Sequence, residues 1–442
     1  MKIKRLFWNA CLALVIVLAW SCTDPIGPIS SNATITSPSA PVPADFAYSV
    51  AADIATIAWS EAVASDGSSV TYDLYFGEDS IPSTPTASNL ASASWTPPAA
   101  LSGAKDFQWK VVAKLPGGQI KASPTWTFMT SGVISDFVAR IPDANLRAAL
   151  ATAAGTPWSE GISTADLDAI DVFTADSSSI AIISGIDLCH SLRELHLRFN
   201  TITDVSPIKR LVLLERLTLQ GNTISDVTAL SGLHKLQLLR LHNNPIPYNN
   251  LSSIITPENF PDLFALGIRG QMNGVTYITA EQLKTILNRF TDLTNLTIRS
   301  FPDITGSVLS TIMTKFSATL DWITISSSNI TNAMFMSSIA PLPLLTGMDV
   351  SYNALSSVAF SQDGDYLPAW YGTLNYINLE GNTDIDDIDF LWKMYLAGSF
   401  QENSAEINIK YMGLDISTGS AALANIEDLI AAGVTVYYEE QE

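Results

Sequence analysis

The chain has 442 residues, of which 47% are apolar and 15% are charged, and its formal net charge is −20. The apolar fraction is that of a packed globular protein, which excludes a disordered chain, and the length accommodates two or more domains. The negative charge argues against nucleic acid as a partner, because phosphate binding requires a cationic surface. Three cysteines are too few for a disulfide framework or a cysteine-rich metal site.

Residues 1–21 have the pattern of a signal peptide. A basic start precedes the apolar run Leu12–Trp20, which is too short to cross a bilayer, since a spanning helix takes about 20 residues. Ser21 and Cys22 follow, and a small residue before a cysteine at this point resembles a bacterial lipobox. The resemblance implies that Cys22 becomes the lipidated first residue of the mature protein. The alternative is ordinary cleavage, with Cys22 a free thiol. Residues 22–38 are polar and proline-rich, so we expect a flexible tether there.

Residues 39–132 predict an all-β domain. Short alternating runs are separated by turn signals such as Asp66–Gly67 and Gly117–Gly118, which is the pattern of a β-sandwich. The stretch resembles a fibronectin type III domain in its length, in its aromatic strands and in having no cysteine pair. The clearest predicted strands are Ile54–Trp59, Val70–Phe76, Phe107–Ala113 and Thr125–Met129.

Three tryptophans of this domain, Trp59, Trp109 and Trp126, allow two interpretations. They either form the core or present a stacking platform for sugars, and the core is the simpler interpretation. We interpret the domain as a spacer or a secondary binding module.

Residues 133–191 predict a helical N-cap and a degenerate first repeat. The segment Asp136–Gly155 has the pattern of a helix closed by a glycine, and it resembles the helical cap that precedes leucine-rich repeats in many bacterial surface proteins. A repeat array needs such a cap because its first unit would otherwise expose one end of the core. The ninth place of the degenerate repeat is Ser178, where the next units have asparagine.

A regular period of 22 residues occupies residues 192–262. The segments Leu192–Leu213 and Leu214–Lys235, and the one that starts at Leu236, share leucine or isoleucine at places one, four, six and eleven and asparagine at place nine. A fixed period of this length predicts a solenoid, in which each unit buries its apolar edge against its neighbours.

Residues 263–442 continue the ladder with longer, irregular units of 25 to 30 residues. The extra residues predict helices, because Thr279–Phe290 has apolar residues on one face and the spacing of a capping box at its start. The strands of these units are predicted to start near Leu263, Leu293, Leu320, Leu345, Leu374, Ser404 and Ala431.

The regular units resemble the leucine-rich repeats of internalin-like bacterial proteins. The resemblance is strong over residues 192–246 and weak in sequence beyond residue 260. It implies an α/β leucine-rich repeat solenoid with a parallel β-sheet on its concave face. It also implies that asparagine side chains bond the loop backbone between turns, a role that passes to Asn200, Asn222, Asn244, Asn353 and Asn382.

The repeat register places the side chains of places three, five and seven on one exposed face of the predicted sheet. Arginines recur there, although the chain as a whole is acidic. One interpretation is a binding face for an anionic or carboxylate-bearing partner, with exposed aromatic residues as anchors, and the other is that nearby aspartates satisfy the arginines. The candidate partner-binding residues are Glu194, His196, Arg198, Arg216, Arg240, His242, Arg269, Arg299, Trp322 and Tyr376.

Other residue types that carry chemistry receive structural interpretations. Cys189 falls on a buried place of the repeat, and the register places no two histidines where they share a metal. The run Asp384–Asp389 suggests calcium but lacks the glycine and the distal glutamate of an EF-hand loop, and Asp387 aligns with the loop caps of earlier units. No nucleophile motif, phosphate loop or acid–base constellation occurs, so we predict no enzyme, no cofactor and no metal site.

These features together predict an exported bacterial lipoprotein, anchored to a membrane and located at the cell surface or facing the periplasm. We expect a monomer that binds another protein through the strand face, in adhesion or host interaction. Two alternatives are a structural envelope protein without a dedicated ligand and an accessory protein that binds polysaccharide through the β domain or the concave face. All three are non-catalytic.

Overall fold

The computed structural model describes residues 33–134, 137–157, 162–356, 370–402 and 404–439. The predicted signal peptide, Cys22 and the start of the tether lie outside these residues, and lipidation stays a prediction. Within the described part, no helix combines the length and the apolar character that crossing a membrane requires. The chain forms two compact units, and the first ends at Met129, apart from the short segments 48–52 and 102–104, which group with the second.

Short strands occupy residues 39–130. They are β1 (Ser39–Val42), β2 (Ala47–Val50), β3 (Ile57–Ser60), β4 (Thr71–Glu78), β5 (Ala87–Leu90), β6 (Ser94–Trp95), β7 (Asp106–Lys114), β8 (Ile120–Ala122) and β9 (Trp126–Thr130). One sheet has the order β1-β3-β6, and the other contains β9-β7-β4-β5 with β8 paired to β7. These pairings are antiparallel. In β4 and β7, buried residues alternate with half-buried ones, as in a sheet with one face on a core.

Three tryptophans of the first unit lie inside it. Trp59, Trp109 and Trp126 are 5%, 0% and 4% exposed, and the ring centroids of Trp109 and Trp126 are 4.7 Å apart. These three rings therefore belong to the core and present no platform for sugars. The strand predicted at Ile54–Trp59 starts later, at Ile57, because the pairing with β1 and β6 begins there. The shortest strands have too few residues to show alternation, and the sequence did not predict them.

The second unit begins with a helical cap that a proline divides. Its helices are α1 (Phe137–Arg140), α2 (Ala144–Ala154) and α3 (Thr164–Asp168). The prediction of one helix over 136–155 is wrong, because Pro142 has no N–H to continue the hydrogen-bond ladder. Gly155 ends α2 in the left-handed conformation, with φ 67°.

Asp143 connects this cap to the first repeat. One oxygen of its carboxylate accepts hydrogen bonds from the backbone N–H groups of Asn145 and Leu146, at 2.9 and 3.1 Å, which starts α2. The other oxygen accepts from the N–H groups of Ala181 and Ile182, at 2.9 and 3.1 Å. A single carboxylate thus bonds both the helix and the repeat that the helix covers.

The rest of the second unit, in the described residues, is an 11-stranded sheet in which the strands follow one another in chain order. Adjacent strands are parallel, and equal places of the repeat face each other, so that Leu195 pairs with Leu217 and Leu217 with Leu239. The strands are β10 (Val172–Thr174), β11 (Glu194–His196), β12 (Arg216–Thr218), β13 (Leu238–Arg240), β14 (Ala265–Arg269), β17 (Asn295–Arg299), β18 (Trp322–Ser326), β19 (Gly347–Asp349), β20 (Tyr376–Asn378), β21 (Glu406–Asn408) and β22 (Thr435–Tyr437).

Unit length decides what connects the strands. The short units have 3₁₀ helices at Ile186–Leu188, Ser206–Arg210 and Thr228–Gly232, because too few residues remain for an α-helix. The later units have room for α4 (Tyr248–Ile254), α5 (Ala280–Leu287), α6 (Gly306–Lys315), α7 (Asn332–Ser338), α8 (Asp389–Leu396) and α9 (Ala421–Ala431). A hairpin of β15 (Gln271–Met272) and β16 (Val275–Thr276) was not predicted. Its turn residues, Asn273 and Gly274, have φ 52° and 77°, which is the backbone that an Asn-Gly hairpin turn requires.

Asparagines at place nine bond consecutive units to each other. The Asn222 Oδ1 atom accepts from the N–H of Ile202 at 3.0 Å, and its Nδ2 atom donates to the carbonyls of Leu197 and Leu219, both at 2.9 Å. Corresponding bonds to loop backbone are made by Asn200, Asn244, Asn353 and Asn382. These bonds satisfy backbone groups inside the loop column that would otherwise be buried without partners.

Candidate binding site on the strand face

Places three, five and seven of each unit lie on the side of the sheet opposite the buried residues of places four and six, and we call this side the strand face. At place five, His196 pairs with Thr218 and Thr218 with Arg240. At place seven, Arg269 pairs with Arg299. The candidate residues therefore occupy neighbouring strands, and their side chains decide the chemistry of the face.

Two arginines of the strand face are paired with aspartates. The Nε and Nη2 atoms of Arg198 both lie 2.7 Å from Oδ2 of Asp176, which comes from the degenerate first repeat. The Nη2 atom of Arg299 lies 3.5 Å from Oδ2 of Asp349, two strands further along the sheet. Nearby aspartates therefore satisfy these two arginines, as one of the two interpretations of the sequence expected.

Glu194 organises the first edge of the face. Its carboxylate lies 3.6 Å from Nε of Arg216 and 3.2 Å from Nε2 of His196. The other ring nitrogen of His196 is 2.9 Å from the hydroxyl oxygen of Thr218. This group is balanced in charge and bonded internally, so it contributes less attraction for an anion than the arginines beyond it.

Arg240 and Arg269 have no carboxylate partner among the described residues. Arg269 is held by neutral oxygens, because its Nε donates to the carbonyl of Gln271 at 2.5 Å and its Nη1 to Oδ1 of Asn243 at 2.6 Å. The guanidinium group of Arg240 makes no hydrogen bond or ion pair with any described residue. Both arginines are therefore uncompensated charges among the described residues, and Arg240 is the one whose guanidinium also makes no hydrogen bond there.

The pKa shifts on the strand face agree with a surplus of positive charge. Burial lowers the pKa of Arg240, and the charges of Arg198 and Arg299 lower it further. Burial also lowers the pKa of His242 to about 3, with smaller contributions from Arg299, Arg240 and Arg269. The imidazole of His242 is therefore neutral at physiological pH, and the arginines carry the positive charge.

Two neighbouring cavities of about 290 and 300 Å³ open on this face and share Arg198, Gln220 and Arg240. We call the second one the arginine cavity. Three arginines and one aspartate line it, so its charged residues are unbalanced in favour of an anion. Its size is at the low end for small-ligand sites. Its lining includes Arg240, His242, Arg299, Trp322, Asp349 and Tyr376.

Three buried polar atoms of the arginine cavity have no hydrogen-bond partner among the described residues: Oε1 of Gln220, Nδ1 of His242 and Nε of Arg299. Gln220 and His242 are only 4% and 8% exposed. A buried polar atom without a partner destabilises a fold by about 1–3 kcal/mol, so such atoms mark a place where a ligand would satisfy them. Gly267 leaves room for the imidazole of His242, since a Cβ atom there would lie only 2.9 Å from Nδ1.

An aromatic pair forms the far wall of the arginine cavity. Trp322, Gly347 and Tyr376 occupy place three on consecutive strands, and the two rings stack over the glycine with centroids 4.9 Å apart and planes 26° apart. A Cβ atom on Gly347 would collide with the indole of Trp322. The glycine therefore lets the two half-exposed rings meet, and a half-exposed aromatic pair is a common binding anchor.

A second row of exposed aromatic residues, at place eight, was not predicted from the sequence. Phe199, Tyr352 and Tyr411 are 56%, 50% and 53% exposed, and their φ angles are 54°, 52° and 54°. Bulky side chains rarely adopt this left-handed backbone, and such strain is most common at functional sites. The sequence pattern that indicates this row is an aromatic residue followed one unit later by glycine, because the ring of Phe199 packs over Gly221.

The remaining candidates have structural roles. Asp387 accepts the backbone N–H of Asp389 at 2.8 Å, and Asp226 accepts that of Thr228 at the same distance, so both cap a loop. No group of three or more His, Cys, Asp or Glu side chains within the described ranges could hold a metal ion. Cys189 is completely buried, and burial raises the pKa of its thiol.

One parallel strand and one helical connection per unit, around a ladder of buried leucines, define a leucine-rich repeat solenoid. The family described as Leucine rich repeat matches residues 190–246, which are the regular units and a small part of the chain. No curated protein matches the sequence.

Solved structures similar to this chain include internalins of Listeria monocytogenes. InlF is 17% identical, with a TM-score of 0.38 over 69% of this chain and 92% of its own. InlC2 is 18% identical, with a TM-score of 0.33 over 70% of this chain and 100% of its own. The functional domain of InlJ, which includes a cysteine ladder, is 16% identical, with a TM-score of 0.34 over 69% of this chain and 72% of its own. At these values the similarity carries no argument about function.

Proposed function

We propose that this protein is a non-catalytic binding protein of the bacterial cell envelope, and that its strand face holds an acidic segment of a partner protein. The observation that carries the proposal is the surplus of arginines on the strand face. Arg240 and Arg269 have no carboxylate partner among the described residues, and Arg198 lines the same cavity as Arg240. An uncompensated cation beside neutral, partly buried groups attracts a carboxylate and discriminates against basic surfaces.

Charge complementarity at this site is compatible with the acidity of the whole chain. A net charge of −20 repels most acidic proteins at a distance, but arginines concentrated in a cavity act over only about 8–10 Å at physiological salt. The partner must therefore reach the cavity with its own acidic residue. The stacked rings of Trp322 and Tyr376 add apolar contact area next to the charges.

The location and the anchor belong to the same proposal. A signal peptide over residues 1–21 and lipidation of Cys22 would place the protein on a membrane, with the tether 22–38 and a fibronectin type III-like unit as spacers. Substituting Cys22→Ala should move the protein from the membrane fraction to the soluble fraction. Unchanged fractionation would contradict the anchor and leave the binding face to be judged separately.

Two alternatives lead to different results. A structural envelope protein needs no ligand on the strand face, and a polysaccharide-binding protein needs rings that sugars can stack on. Trp59, Trp109 and Trp126 are buried in the core, so they cannot stack on a sugar. In the second alternative the aromatic pair of the strand face would have to bind the polysaccharide.

Selection from a library of displayed 12-residue peptides tests the proposed function. We expect the immobilised protein to enrich peptides with Asp or Glu next to apolar residues, and to bind them less tightly as salt rises. The double variant Arg198→Ala, Arg269→Ala should lose this enrichment. The control Arg193→Ala, at an exposed arginine paired with Glu215, should keep it. Enrichment without acidic residues, or enrichment that survives the double variant, would reject the proposal.

A further inference from the structure

The arginine cavity has donors for one carboxylate and apolar walls on both sides of them. We infer that it receives the side chain of a single glutamate or aspartate in an extended peptide, with apolar residues before and after the acidic one. This inference rests on the proposed function and specifies the ligand of the same site.

The side chains of Arg240 and His242 both lie next to Gly267, since a Cβ atom there would be 3.5 Å from Cγ of Arg240 and 2.9 Å from Nδ1 of His242. The guanidinium of Arg240 has no partner among the described residues, and a planar guanidinium matches a carboxylate with two parallel hydrogen bonds. His242 adds Nδ1, which likewise has no partner in the described part of the chain and lies over Gly267. Neutral histidine carries one N–H, and the tautomer with the hydrogen on Nδ1 would donate it to the ligand.

The acids in and beside the cavity do not use up these donors. Asp349 reaches Arg299 through Nη2, at 3.5 Å, and the buried Nε atom of Arg299 has no partner among the described residues. Asp176 occupies Arg198, at the other end. One added carboxylate therefore brings the charged groups of the cavity closer to balance and gives partners to atoms that have none.

Apolar surface flanks the donors on two sides, and this feature favours a peptide over a sugar acid. On the side of β18 and β20 stand the stacked rings of Trp322 and Tyr376, and on the side of β11 stands Phe199, which is 56% exposed. A sugar acid offers one apolar face next to its carboxylate. A peptide with an apolar, an acidic and an apolar residue offers apolar groups on both sides of the charge.

Histidine ring signals in NMR spectra provide a local test, because the chain has only four histidines and the variant His242→Gln identifies one of them. The probes are the blocked tripeptides Ac-Leu-Glu-Leu-NH₂ and Ac-Leu-Gln-Leu-NH₂, sodium glucuronate and inorganic phosphate. We expect the glutamate peptide to shift the His242 signals to saturation, and to bind at least tenfold more tightly than the other three. Equal binding of glucuronate or phosphate, or no His242 shift with any probe, would overturn the inference.

Three substitutions separate a carboxylate site from general attraction. Arg240→Gln should weaken the glutamate peptide at least tenfold, and Arg240→Lys, which keeps the charge without the planar fork, should weaken it by an intermediate factor. Arg193→Gln should leave the affinity unchanged, and thermal unfolding verifies that each variant is folded. Arg240→Gln could bind the peptide like the wild type while the double variant Arg198→Ala, Arg269→Ala no longer enriches acidic peptides. That result would support the strand face as the binding surface and reject the carboxylate site at Arg240. If neither variant changes binding, both proposals fail.

Discussion

Substituting Asn222→Ala tests how strongly the asparagine column stabilises the short units. The Asn222 side chain is buried, and its Oδ1 atom accepts the hydrogen bond of the Ile202 N–H at 3.0 Å. Alanine removes this acceptor from a backbone N–H group that water does not reach. A buried donor left without a partner destabilises a protein by about 1–3 kcal/mol.

The two carbonyls that Asn222 bonds are affected less, because each has a second donor. Leu197 also accepts from Nδ2 of Asn200 at 3.1 Å, and Leu219 also accepts from Nδ2 of Asn244 at 2.8 Å. Each therefore loses one bond of two, a loss of about 0.5–1 kcal/mol apiece. With the N–H of Ile202, the free energy of unfolding should fall by about 2–5 kcal/mol.

Urea unfolding followed by circular dichroism measures this change. Asn249→Ala is a matched control, because the Asn249 side chain is exposed and makes no hydrogen bond with a described residue. This substitution should change the free energy of unfolding by less than about 0.5 kcal/mol. The reasoning is refuted if Asn222→Ala destabilises the protein no more than this control does.

Three further predictions concern the strand face. The pKa of His242 is about 3 in the folded protein and about 6.5 in the unfolded chain. Between these pH values the unfolded state binds more protons, so the free energy of unfolding decreases as the pH falls. At pH 5 the decrease is about 2 kcal/mol. His242→Gln should remove this loss in urea titrations at pH 7 and 5, and an unchanged difference would contradict it. Gly347→Ala should destabilise the protein by about 1–3 kcal/mol, because the added methyl group displaces the indole of Trp322. It should also weaken the near-ultraviolet circular dichroism of the stacked rings, and an unaltered spectrum would contradict the stacking. Asparagine tolerates the left-handed backbone that Phe199 adopts, as Asn243 does in this protein. Phe199→Asn should therefore leave stability in thermal unfolding unchanged or raise it by up to about 1 kcal/mol. A clear loss of stability would show that Phe199 stabilises the fold.

The repeat register could be predicted because each unit meets the same places of its neighbour. Leucines separated by one period therefore face each other, as Leu195, Leu217 and Leu239 do. The same rule assigned Cys189 to the core and Arg240 to the exposed face. Where a unit lengthens, the rule still holds, because the extra residues form helices outside the sheet.

Local features that break the pattern were harder to predict. Pro142 divides the cap into two helices, although the apolar spacing alone favours one. The hairpin at Asn273–Gly274 adds two short strands beside the main sheet, and its Asn-Gly signal lies between segments of two residues, too short for an alternating pattern.

The sequence by itself determined which residues reach the strand face, because a fixed period converts position in the chain into position in the sheet. Only the tertiary structure decided which of them are free to bind. Arg198 takes an aspartate from the degenerate repeat, Arg299 takes one from two strands away, and Arg240 takes none among the described residues. Long side chains reach across more than one strand, and their partners depend on rotamers and packing that the repeat period does not encode.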